Sequence, residues 1–258
     1  MLVLRPGALG DTLLTVPALR ALRRRYAPVT LAAHAGAARL LLALDEVDAA
    51  LAFDDPRVAR VLGGAAAGEP VVAWLDAARA PDVRATLVAP SRPAGETHCA
   101  RYLLDTLAPL GCTPELDDTP LRVDALPSGE VLIHPGSGSA SKNWPARCFA
   151  SLIARLTPVR LIVGEADMQA AAEVERWVGH NLPRLEQPPL GELASRLAGC
   201  RAYVGNDSGV SHLAGLSGAR AFVLFGPSSA QVWRPLGPRV SVRTFDIEPR
   251  RLAQEMAV

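Results

Sequence analysis

Short apolar runs alternate with longer helical stretches along the whole chain, and this alternation constrains the fold more than any other feature. Gly, Pro or Asn residues bound the runs. The pattern is typical of βα units that stack on a parallel sheet, so the sequence predicts an α/β fold. The predicted strands are Met1–Leu4, Val29–Ala33, Val71–Ala73, Thr86–Val88, Val131–His134, Val159–Val163, Ala202–Val204 and Ala221–Phe225. The predicted helices are Thr12–Tyr26, Ala37–Leu44, His98–Leu110, Ala146–Leu156, Met168–Val178, Leu190–Ala198 and Ser208–Leu216.

The order of these elements predicts two domains. One α/β set ends near residue 124 and a second starts near residue 131, with a breaker-rich connection between them. A chain of 258 residues is long enough for two compact domains. We therefore place an N-terminal Rossmann-like domain at 1–126 and a C-terminal one at 127–258. The last segment, 249–258, is predicted to form one short helix, long enough to pack back on the N-terminal domain.

Composition and charge exclude several classes of protein. Hydrophobic residues make up 49% of the chain and charged residues 21%, which excludes a disordered protein. The 27 Lys and Arg residues nearly balance the 26 Asp and Glu residues. This balance argues against a basic field over the whole molecule, and therefore against nucleic acid as a partner.

The sequence also bears on the compartment. No uninterrupted apolar run approaches the roughly 20 residues that a membrane-spanning helix needs. Cys99, Cys112, Cys148 and Cys200 are scattered and contain no Cys-x-x-Cys pair, so neither a zinc site nor a disulfide framework is indicated. We expect a cytoplasmic protein.

A basic cluster lies near the end of the first predicted helix. Arg20, Arg23, Arg24 and Arg25 suit the negative end of the helix dipole. A solvated helix end explains such a cluster, and so does attraction to an anionic membrane surface or acceptor. Peripheral association with the inner face of a membrane therefore stays an open alternative.

The strongest local signal for function runs from Tyr203 to Gly215, where a predicted strand leads through a turn into a helix of small residues. Asp207 or Ser208 can cap that helix, and Gly209 lets a ligand approach the backbone. Free N–H groups at the positive end of a helix dipole bind phosphate. His212, about one turn further on, is a candidate proton donor. A simple capping turn with a buried histidine would give the same sequence, so both interpretations stay open on these residues alone.

A second turn, Pro135–Pro145, follows the predicted strand Val131–His134. Small residues before Lys142 at the carboxyl end of a strand favour an anion site, where Lys142 would neutralise phosphate charge. The turn lacks Gly-Lys-Ser/Thr, so it is not a Walker A loop and does not indicate nucleoside triphosphate hydrolysis. A surface lysine in a loop is the alternative.

Two carboxylates follow other predicted strands. Asp11 lies at the start of a helix after the turn Arg5–Gly10, where it could accept a proton from a hydroxyl group or serve as a helix cap. Glu165 follows the strand Val159–Val163 and could hold ribose hydroxyls, or be a solvated loop acid. Because carboxyl ends of parallel strands share one edge of a sheet, capping alone does not readily explain this set of turns.

Four parts of the chain resemble the heptosyltransferase-type glycosyltransferases of family 9. They are Arg5–Asp11 with Pro17–Leu22, His134–Gly136 with Lys142–Pro145, Val204–Ala214, and Leu224–Pro227 with Trp233–Pro235. The resemblance implies a GT-B fold, in which two Rossmann-like domains with parallel sheets face a central cleft and the C-terminal one binds the donor. It also implies an N-terminal domain that is shortened relative to the family.

The resemblance further implies a role for each candidate residue. Asp11 would be the general base that activates an acceptor hydroxyl. The donor, a nucleotide-diphosphate sugar and most simply an ADP-sugar, would be bound by Ser137, Lys142, Glu165, Asp207, Ser208, Gly209 and His212. Acceptor-side candidates are Arg5, Gly10, His98 and Arg101. The implied reaction is an inverting transfer of heptose or a similar sugar, without metal or other cofactor, to a lipopolysaccharide-like glycan or lipid-linked acceptor of the cell envelope.

Two other functions remain possible for such a sequence. A sugar-nucleotide epimerase of the GT-B fold would need acid and base groups lining the donor site in place of an acceptor pocket. A catalytically weak nucleotide-sugar-binding protein would result if the shortened N-terminal half no longer closed over the donor.

Overall fold

A computed structural model of the protein describes residues 1–76, 78 and 81–257. The chain forms two compact units, Met1–Asp118 and Thr119–Val258. In the first unit the strands are β1 (Leu2–Leu4), β2 (Thr30–Ala33), β3 (Ala49–Ala52), β4 (Val71–Trp74) and β5 (Leu87–Ala89). Its helices are α1 (Leu9–Leu13), α2 (Val16–Tyr26), α3 (Ala35–Ala43), α4 (Pro56–Leu62) and α5 (Cys99–Asp105).

The second unit has the same kind of alternation. Its strands are β6 (Val131–His134), β7 (Val159–Val163), β8 (Arg184–Glu186), β9 (Ala202–Asn206), β10 (Ala221–Phe225) and β11 (Val240–Thr244). Its helices are α6 (Ala146–Ile153), α7 (Met168–Val178), α8 (Leu190–Gly199), α9 (Gly209–Leu216), α10 (Ala230–Trp233) and α11 (Pro249–Ala257). The predicted helix 249–258 is therefore present as far as Ala257, and its last residue, Val258, lies outside the described residues.

Each unit contains one parallel sheet, which confirms the predicted α/β fold. The strand order is β3-β2-β1-β4-β5 in the first unit and β11-β10-β9-β6-β7-β8 in the second. In the first sheet Leu2 pairs with Thr30 and Val71, and in the second Val131 pairs with Val159 and Ala202. The strand order reverses between β1 and β4 and between β6 and β9. Open parallel sheets bind ligands at the carboxyl ends of the strands at such switch points.

Each sheet packs its apolar side chains into its own core. In the first unit Leu4, Ala73 and Val58 are buried at the centre of the core. In the second unit Ile133, Leu161 and Val204 from the sheet pack with residues of α6, α7 and α11. The central strands β6 and β9 are buried along their whole length, as expected for parallel strands covered on both faces.

The boundary between the units differs from the predicted one. Residues 119–126 belong to the second unit, because Leu121 N–H donates to Leu216 O and Leu126 N–H donates to Ser195 O. The breaker-rich segment around residue 124 is thus attached to the second unit by backbone hydrogen bonds, and the division falls between Asp118 and Thr119.

Helix α11 packs on its own unit. Leu252, Ala253 and Met256 join the core that contains α6, and Arg220 donates to the carbonyl oxygens of Glu255 and Met256. The further prediction that this segment packs back on the N-terminal domain stays a prediction. The amphipathic face of the helix finds apolar partners in its own unit, among them residues of α6.

Candidate functional site

The candidate phosphate site lies at the switch point of the second sheet. The loop after β6 carries Ser137 and Lys142, and the turn after β9 carries Asp207, Ser208 and Gly209. Since β6 and β9 are parallel neighbours, both segments leave the same edge of the sheet. The structure therefore brings together the two turns that the sequence singled out separately.

Ser208 caps helix α9. Its backbone is extended, and its Oγ accepts a hydrogen bond from Ser211 N–H at 3.3 Å. Gly209 is the first residue of the helix. Either Asp207 or Ser208 could have been the cap on sequence grounds, and the structure assigns the role to Ser208. The carboxylate of Asp207 is thereby free to serve a different partner.

That partner is Lys142. Lys142 Nζ lies 2.7 Å from Asp207 Oδ2, and Ser228 Oγ donates to the same oxygen at 2.7 Å. The Asp207 side chain is 8% exposed, whereas that of Lys142 is 37% exposed. A buried carboxylate therefore holds the ammonium group of Lys142, which remains accessible to an anion from solvent.

A buried amide holds the two turns together. Asn206 is fully buried; its Oδ1 accepts from Trp144 N–H at 2.8 Å, and its Nδ2 donates to Pro135 O at 2.8 Å. Trp144 in turn donates through Nε1 to Phe245 O. The sequence does not predict Asn206 as a positioning group, although this residue stands directly before Asp207. Its amide fits the needs of two loops at once because it both donates and accepts.

A buried carboxylate and histidine pair lies beside this cluster. His134 Nε2 is 2.9 Å from Asp167 Oδ2, and Gly164 N–H donates to the same carboxylate oxygen at 2.9 Å. Burial alone would raise the pKa of Asp167, but the hydrogen bond and charge of His134, together with Gly164 N–H, lower it. The pair itself was not predicted from the sequence: His134 was noted only as part of the segment His134–Gly136, and Asp167 lies 33 residues further along the chain.

Ser137, Glu165 and His212, the other residues predicted to bind the sugar donor, differ in their exposure and contacts. Ser137 Oγ lies 2.7 Å from Asn143 Oδ1, and both residues line a cavity of about 350 Å³ that extends to Trp177. Glu165 is exposed at the start of the 3-10 turn Glu165–Asp167, after β7. His212 is buried on α9, with 5% of its surface exposed. All of them belong to the elements that leave β6, β7 and β9.

In the first unit, the turn after β1 holds Asp11 against a buried arginine. Arg5 is 1% exposed; its Nη2 lies 3.4 Å from Asp11 Oδ1, while Ala8 N–H donates to Asp11 Oδ2 at 3.0 Å. Burial lowers the pKa of Arg5, against the opposing effects of Asp11 and Cys99. The Asp11 side chain is 36% exposed, so it is reachable by a substrate.

Gly7 makes this arrangement possible. Its φ is +134°, and a Cβ there would lie 2.7 Å from Asp11 Cβ and 2.8 Å from Asp11 Oδ2. A side chain at position 7 would be strained in its backbone and would displace the carboxylate. Gly10 is buried within α1, one residue before Asp11. Gly7 therefore serves the placement of Asp11.

The remaining acceptor-side candidates lie at helix α5. His98 is the residue before the helix. Burial raises the pKa of the neighbouring Cys99 to about 11, and the charges of Arg5 and Asp11 also act on this thiol, so the start of α5 lies near the Asp11 turn. Arg101 is committed elsewhere: it donates to Pro114 O and lies 3.6 Å from Asp105 Oδ1.

Two of the four arginines in the basic cluster on α2 are paired with acids of the same unit. Arg20 lies 2.7 Å from Glu46 Oε1 and 3.1 Å from Asp117 Oδ1. Arg23 contacts Asp45 and Asp48. These ion pairs favour the simpler of the two interpretations of this cluster, a helix end stabilised by its own surroundings. No helix among residues 1–76, 78 and 81–257 has the length and apolar character needed to cross a membrane.

Comparison with known proteins relates this geometry to one family. Residues 112–255 match the model of glycosyltransferase family 9 (heptosyltransferase). The match spans the second unit, including the turns at Lys142 and Asp207. No curated protein sequence matches this chain at a significant level.

Solved structures resemble the chain over nearly its full length. The E. coli ADP-heptose lps heptosyltransferase II has a TM-score of 0.76 and 21% identity, with 99% of this chain and 97% of that chain covered. A family 9 glycosyl transferase from Veillonella parvula has a TM-score of 0.75 and 17% identity, covering 99% and 88%. The E. coli heptosyltransferase WaaC with ADP has a TM-score of 0.75 and 15% identity, covering 99% and 98%. These likenesses confirm the GT-B fold.

Proposed function

Since the chain belongs to glycosyltransferase family 9, we propose that it transfers a heptose or similar sugar from a nucleotide diphosphate to a cell-envelope glycan. The transfer inverts the anomeric carbon and needs no metal. One observation carries the proposal: an accessible Lys142 ammonium, anchored by buried Asp207, stands with the start of α9 at the switch point of the second sheet.

The donor diphosphate binds at this switch point. Lys142 supplies positive charge, and the first N–H groups of α9 add hydrogen bonds at the positive end of the helix dipole. Asp207 carries negative charge and would repel a phosphate, so we assign it the task of holding Lys142 rather than of contacting the diphosphate. Ser208 and Gly209 lie closest to the phosphates, with Ser137 and buried His212 beside them.

The rest of the donor is recognised by polar groups of neighbouring elements. Exposed Glu165 is available to accept hydrogen bonds from ribose hydroxyls, as acidic residues after strands do in other nucleotide-binding folds. We propose an ADP-sugar, in keeping with the ADP and ADP-heptose named for the structurally similar E. coli proteins.

The chemistry is a single displacement. Asp11 takes the proton of the acceptor hydroxyl as that oxygen attacks the anomeric carbon, and the nucleoside diphosphate leaves from the opposite face. Ala8 N–H and Arg5 each donate to one carboxylate oxygen, which fixes the orientation of Asp11 and leaves other lone pairs for the incoming proton. Lys142 and the α9 dipole stabilise the charge that develops on the leaving diphosphate without a metal ion.

The acceptor is a glycan or lipid-linked saccharide, met in the cytoplasm or at the inner face of a membrane. Among the acceptor-side residues, His98 is the best placed to touch it, because it precedes α5 near the Asp11 turn. Arg5, Gly10 and Arg101 make contacts within the unit that shape the surroundings. The name of the E. coli heptosyltransferase II makes lipopolysaccharide the first acceptor class to try.

The test separates binding from turnover. Asp11→Asn should keep donor affinity within a few-fold and lower transfer from ADP-heptose to a glycolipid extract by roughly 100-fold or more. Asp54→Asn, a change at an exposed acid of the same unit, is the matched control and should leave both unchanged. Affinity is measured by calorimetry and transfer by release of ADP.

Two outcomes would contradict the proposal. Unchanged transfer by Asp11→Asn would remove the assigned base. Donor binding by the parent without transfer to any glycolipid or glycan fraction would favour the weak binding protein instead, and interconversion of sugar epimers without an acceptor would favour the epimerase.

A further inference from the structure

Three side chains form a hydrogen-bonded chain at the carboxyl ends of β6, β7 and β9. Asp167 Oδ2 lies 2.9 Å from His134 Nε2, and His134 Nδ1 lies 3.2 Å from Ser208 Oγ. The side chains of His134 and Asp167 are 3% and 11% exposed. A buried, titratable imidazole thus connects a carboxylate to the hydroxyl that begins α9.

Asp167 fixes which nitrogen of His134 carries a proton. The pKa of Asp167 is lowered by its hydrogen bonds, despite the opposing effect of burial, so the group is a carboxylate at neutral pH. A carboxylate only accepts, and therefore Nε2 of His134 is the donor in this contact. The state of Nδ1 then depends on whether His134 is neutral or cationic.

The backbone is shaped so that Asp167 can reach this position. A Cβ on Gly136 would lie 1.8 Å from Asp167 Oδ1, and one on Gly164 would lie 2.7 Å from Asp167 Oδ2. The carboxylate therefore packs directly on two glycines, one in the loop after β6 and one after β7. Such a close fit indicates that Asp167 is held in contact with His134 and is not a solvated surface acid.

The hydroxyl of Ser208 has one proton, and its nearest acceptor besides a bound ligand is Nδ1 of His134 at 3.2 Å, with Ser211 Oγ further away at 3.4 Å. The Ser208 oxygen already accepts a hydrogen bond from Ser211 N–H. The hydroxyl of Ser211 itself donates to Asn206 O at 2.5 Å. With neutral His134, Ser208 O–H donates to Nδ1 and has no proton left for a ligand. With cationic His134, Nδ1–H donates to Ser208 Oγ, and Ser208 O–H is released to donate to a phosphate oxygen.

We propose that binding of the donor diphosphate is coupled to proton uptake by His134, which turns Ser208 into a hydrogen-bond donor for the phosphate. The proton comes from solvent, and Asp167 balances the charge on the imidazolium. His134 and Asp167 are positioning residues that act through Ser208. This inference rests on the proposed donor site and adds a proton to what that site binds.

Other titratable groups surround the chain of three. Burial raises the pKa of Tyr203, whose hydroxyl is near Ser208 and Ser211, so this phenol stays neutral. The remaining charged or titratable neighbours on the elements that meet here are Lys142 after β6, Glu165 after β7, and Asp207 and His212 at α9. Lys142 and Asp207 already form an ion pair. His212 is therefore the principal competitor for an incoming proton.

Calorimetry in buffers of different ionisation enthalpy measures this proton directly. ADP-glucose, UDP-glucose and GDP-mannose are titrated into the protein, and the tightest binder is studied in PIPES, HEPES and Tris. In these sugar nucleotides the diphosphate is esterified at both ends, so the ligand itself has no phosphate group that titrates near neutral pH. The parent should take up on the order of half a proton or more near pH 7, and its affinity should fall as pH rises.

His134→Gln is the decisive variant. A glutamine amide donates to Asp167 but takes up no proton, so proton uptake on donor binding should vanish. Donor affinity should drop roughly tenfold at neutral pH and should no longer depend on pH. Asp167→Asn should also suppress uptake. Glu175→Gln, which breaks a buried ion pair elsewhere in this unit, should leave uptake and affinity as in the parent.

The outcomes are distinguishable. Full proton uptake in His134→Gln would overturn this proposal and redirect attention to His212, while leaving the donor site intact. Binding by the parent without proton uptake between about pH 6 and pH 8 would also overturn it. If neither ADP-heptose nor any of the three sugar nucleotides binds the parent, the proposed function itself fails, and this inference fails with it.

Discussion

Lys142 shows how much a single residue can reveal. The chain has 27 Lys and Arg residues, and Lys142 is the single lysine among them. A lysine offers a compact ammonium with three donors, whereas arginine offers a rigid planar fork. The 2.7 Å contact with Asp207 Oδ2 uses one donor and leaves the others for an anion. The sequence therefore contained a further signal for this residue in the choice of lysine itself.

We predict that Lys142→Ala weakens binding of the nucleotide sugar by roughly ten- to a hundredfold, because a charge-assisted hydrogen bond to phosphate is lost. Lys142→Arg should restore only part of the affinity, since the longer fork does not fit between Asp207 and the ligand. Calorimetry on both variants and on Arg155→Ala, an exposed arginine of the same unit, checks this. Equal affinity of the Arg and Lys proteins would show that any cation suffices.

Gly136 tests the packing under Asp167. We expect Gly136→Ala to destabilise the protein by about 1–3 kcal/mol, since its Cβ would overlap Asp167 Oδ1 and force the carboxylate away from His134. Gly138→Ala in the same loop is a matched control, because nothing lies within 4 Å of its added Cβ. Urea unfolding compares the two, and similar losses in both would mean that loop flexibility, not the contact with Asp167, sets the cost.

Single residues that follow predicted strands could be identified from the sequence, but the side chains that contact them could not. Asp11, Lys142 and Asp207 stand after apolar runs, and that position is visible in the sequence. The contacts around the site are not visible in the sequence. His134 at the end of β6 contacts Asp167 after the neighbouring strand β7, and Ser228 in the loop after β10 contacts Asp207. Such contacts depend on strand order, which the alternation of elements does not contain. The roles assigned to these residues stay predictions.

Among elements, the strands that the sequence did not predict are β3, β8 and β11, each at the edge of a sheet. An edge strand has one neighbour and is less buried, so it does not require a long run of large apolar residues; β5, the other edge strand of the first sheet, was nevertheless predicted, as Thr86–Val88. Strand β8 is Arg-Leu-Glu, whose Arg184 is paired with Glu175 and Glu186, and β3 contains only alanine and leucine. Central strands such as β6 were predicted at their observed bounds, because burial on both faces demands a continuous apolar run.

The first predicted helix, Thr12–Tyr26, is two helices. The turn that carries Asp11 is itself helical, as α1, and α2 begins anew at Val16 with Pro17 in its first turn. Proline has no N–H to continue the hydrogen bonds of a preceding helix, but it suits the start of a new one. The break lets Asp11 sit on a short element of its own.

Helix α9 offers a test of whether its cap and its ligand contact are separable. Ser208→Ala should cost about 1 kcal/mol of stability through loss of the cap, and should weaken donor binding as well. Ser208→Asp keeps a capping oxygen, so stability should stay within about 0.5 kcal/mol of the parent. Its negative charge would repel the diphosphate, and donor affinity should fall further than in the alanine variant. Thermal unfolding and calorimetry measure the two effects.

Tight donor binding by Ser208→Asp would mean that the phosphates lie elsewhere. Loss of folding in both variants would instead show that the hydroxyl serves the core network of Ser211 and Tyr203 rather than a ligand.

Across the whole molecule, both units use ion pairs that depress carboxyl pKa values. Hydrogen bonds from Arg23 lower the pKa of Asp48 in the first unit, and those from Arg160 and Arg184 lower the pKa of Glu130 and Glu175 in the second. A carboxyl whose folded pKa is lowered binds fewer protons when folded than when unfolded. Its stabilisation is therefore complete above the unfolded pKa and is lost as pH falls through the folded one.

We accordingly expect the free energy of unfolding to be nearly independent of these groups above about pH 5, and to decrease steadily as pH falls below about pH 4. Urea unfolding followed by tryptophan fluorescence measures this, and Trp74, buried in the first unit, distinguishes that unit from the second, where Trp144, Trp177 and Trp233 lie. Glu130→Gln should flatten the acid dependence of the second unit and leave the Trp74 signal unaffected. Glu115→Gln, at an exposed loop of the first unit, should retain the parent's slope. An unchanged slope in Glu130→Gln would show that its pair with Arg160 persists in the unfolded chain or contributes too little to stability to matter.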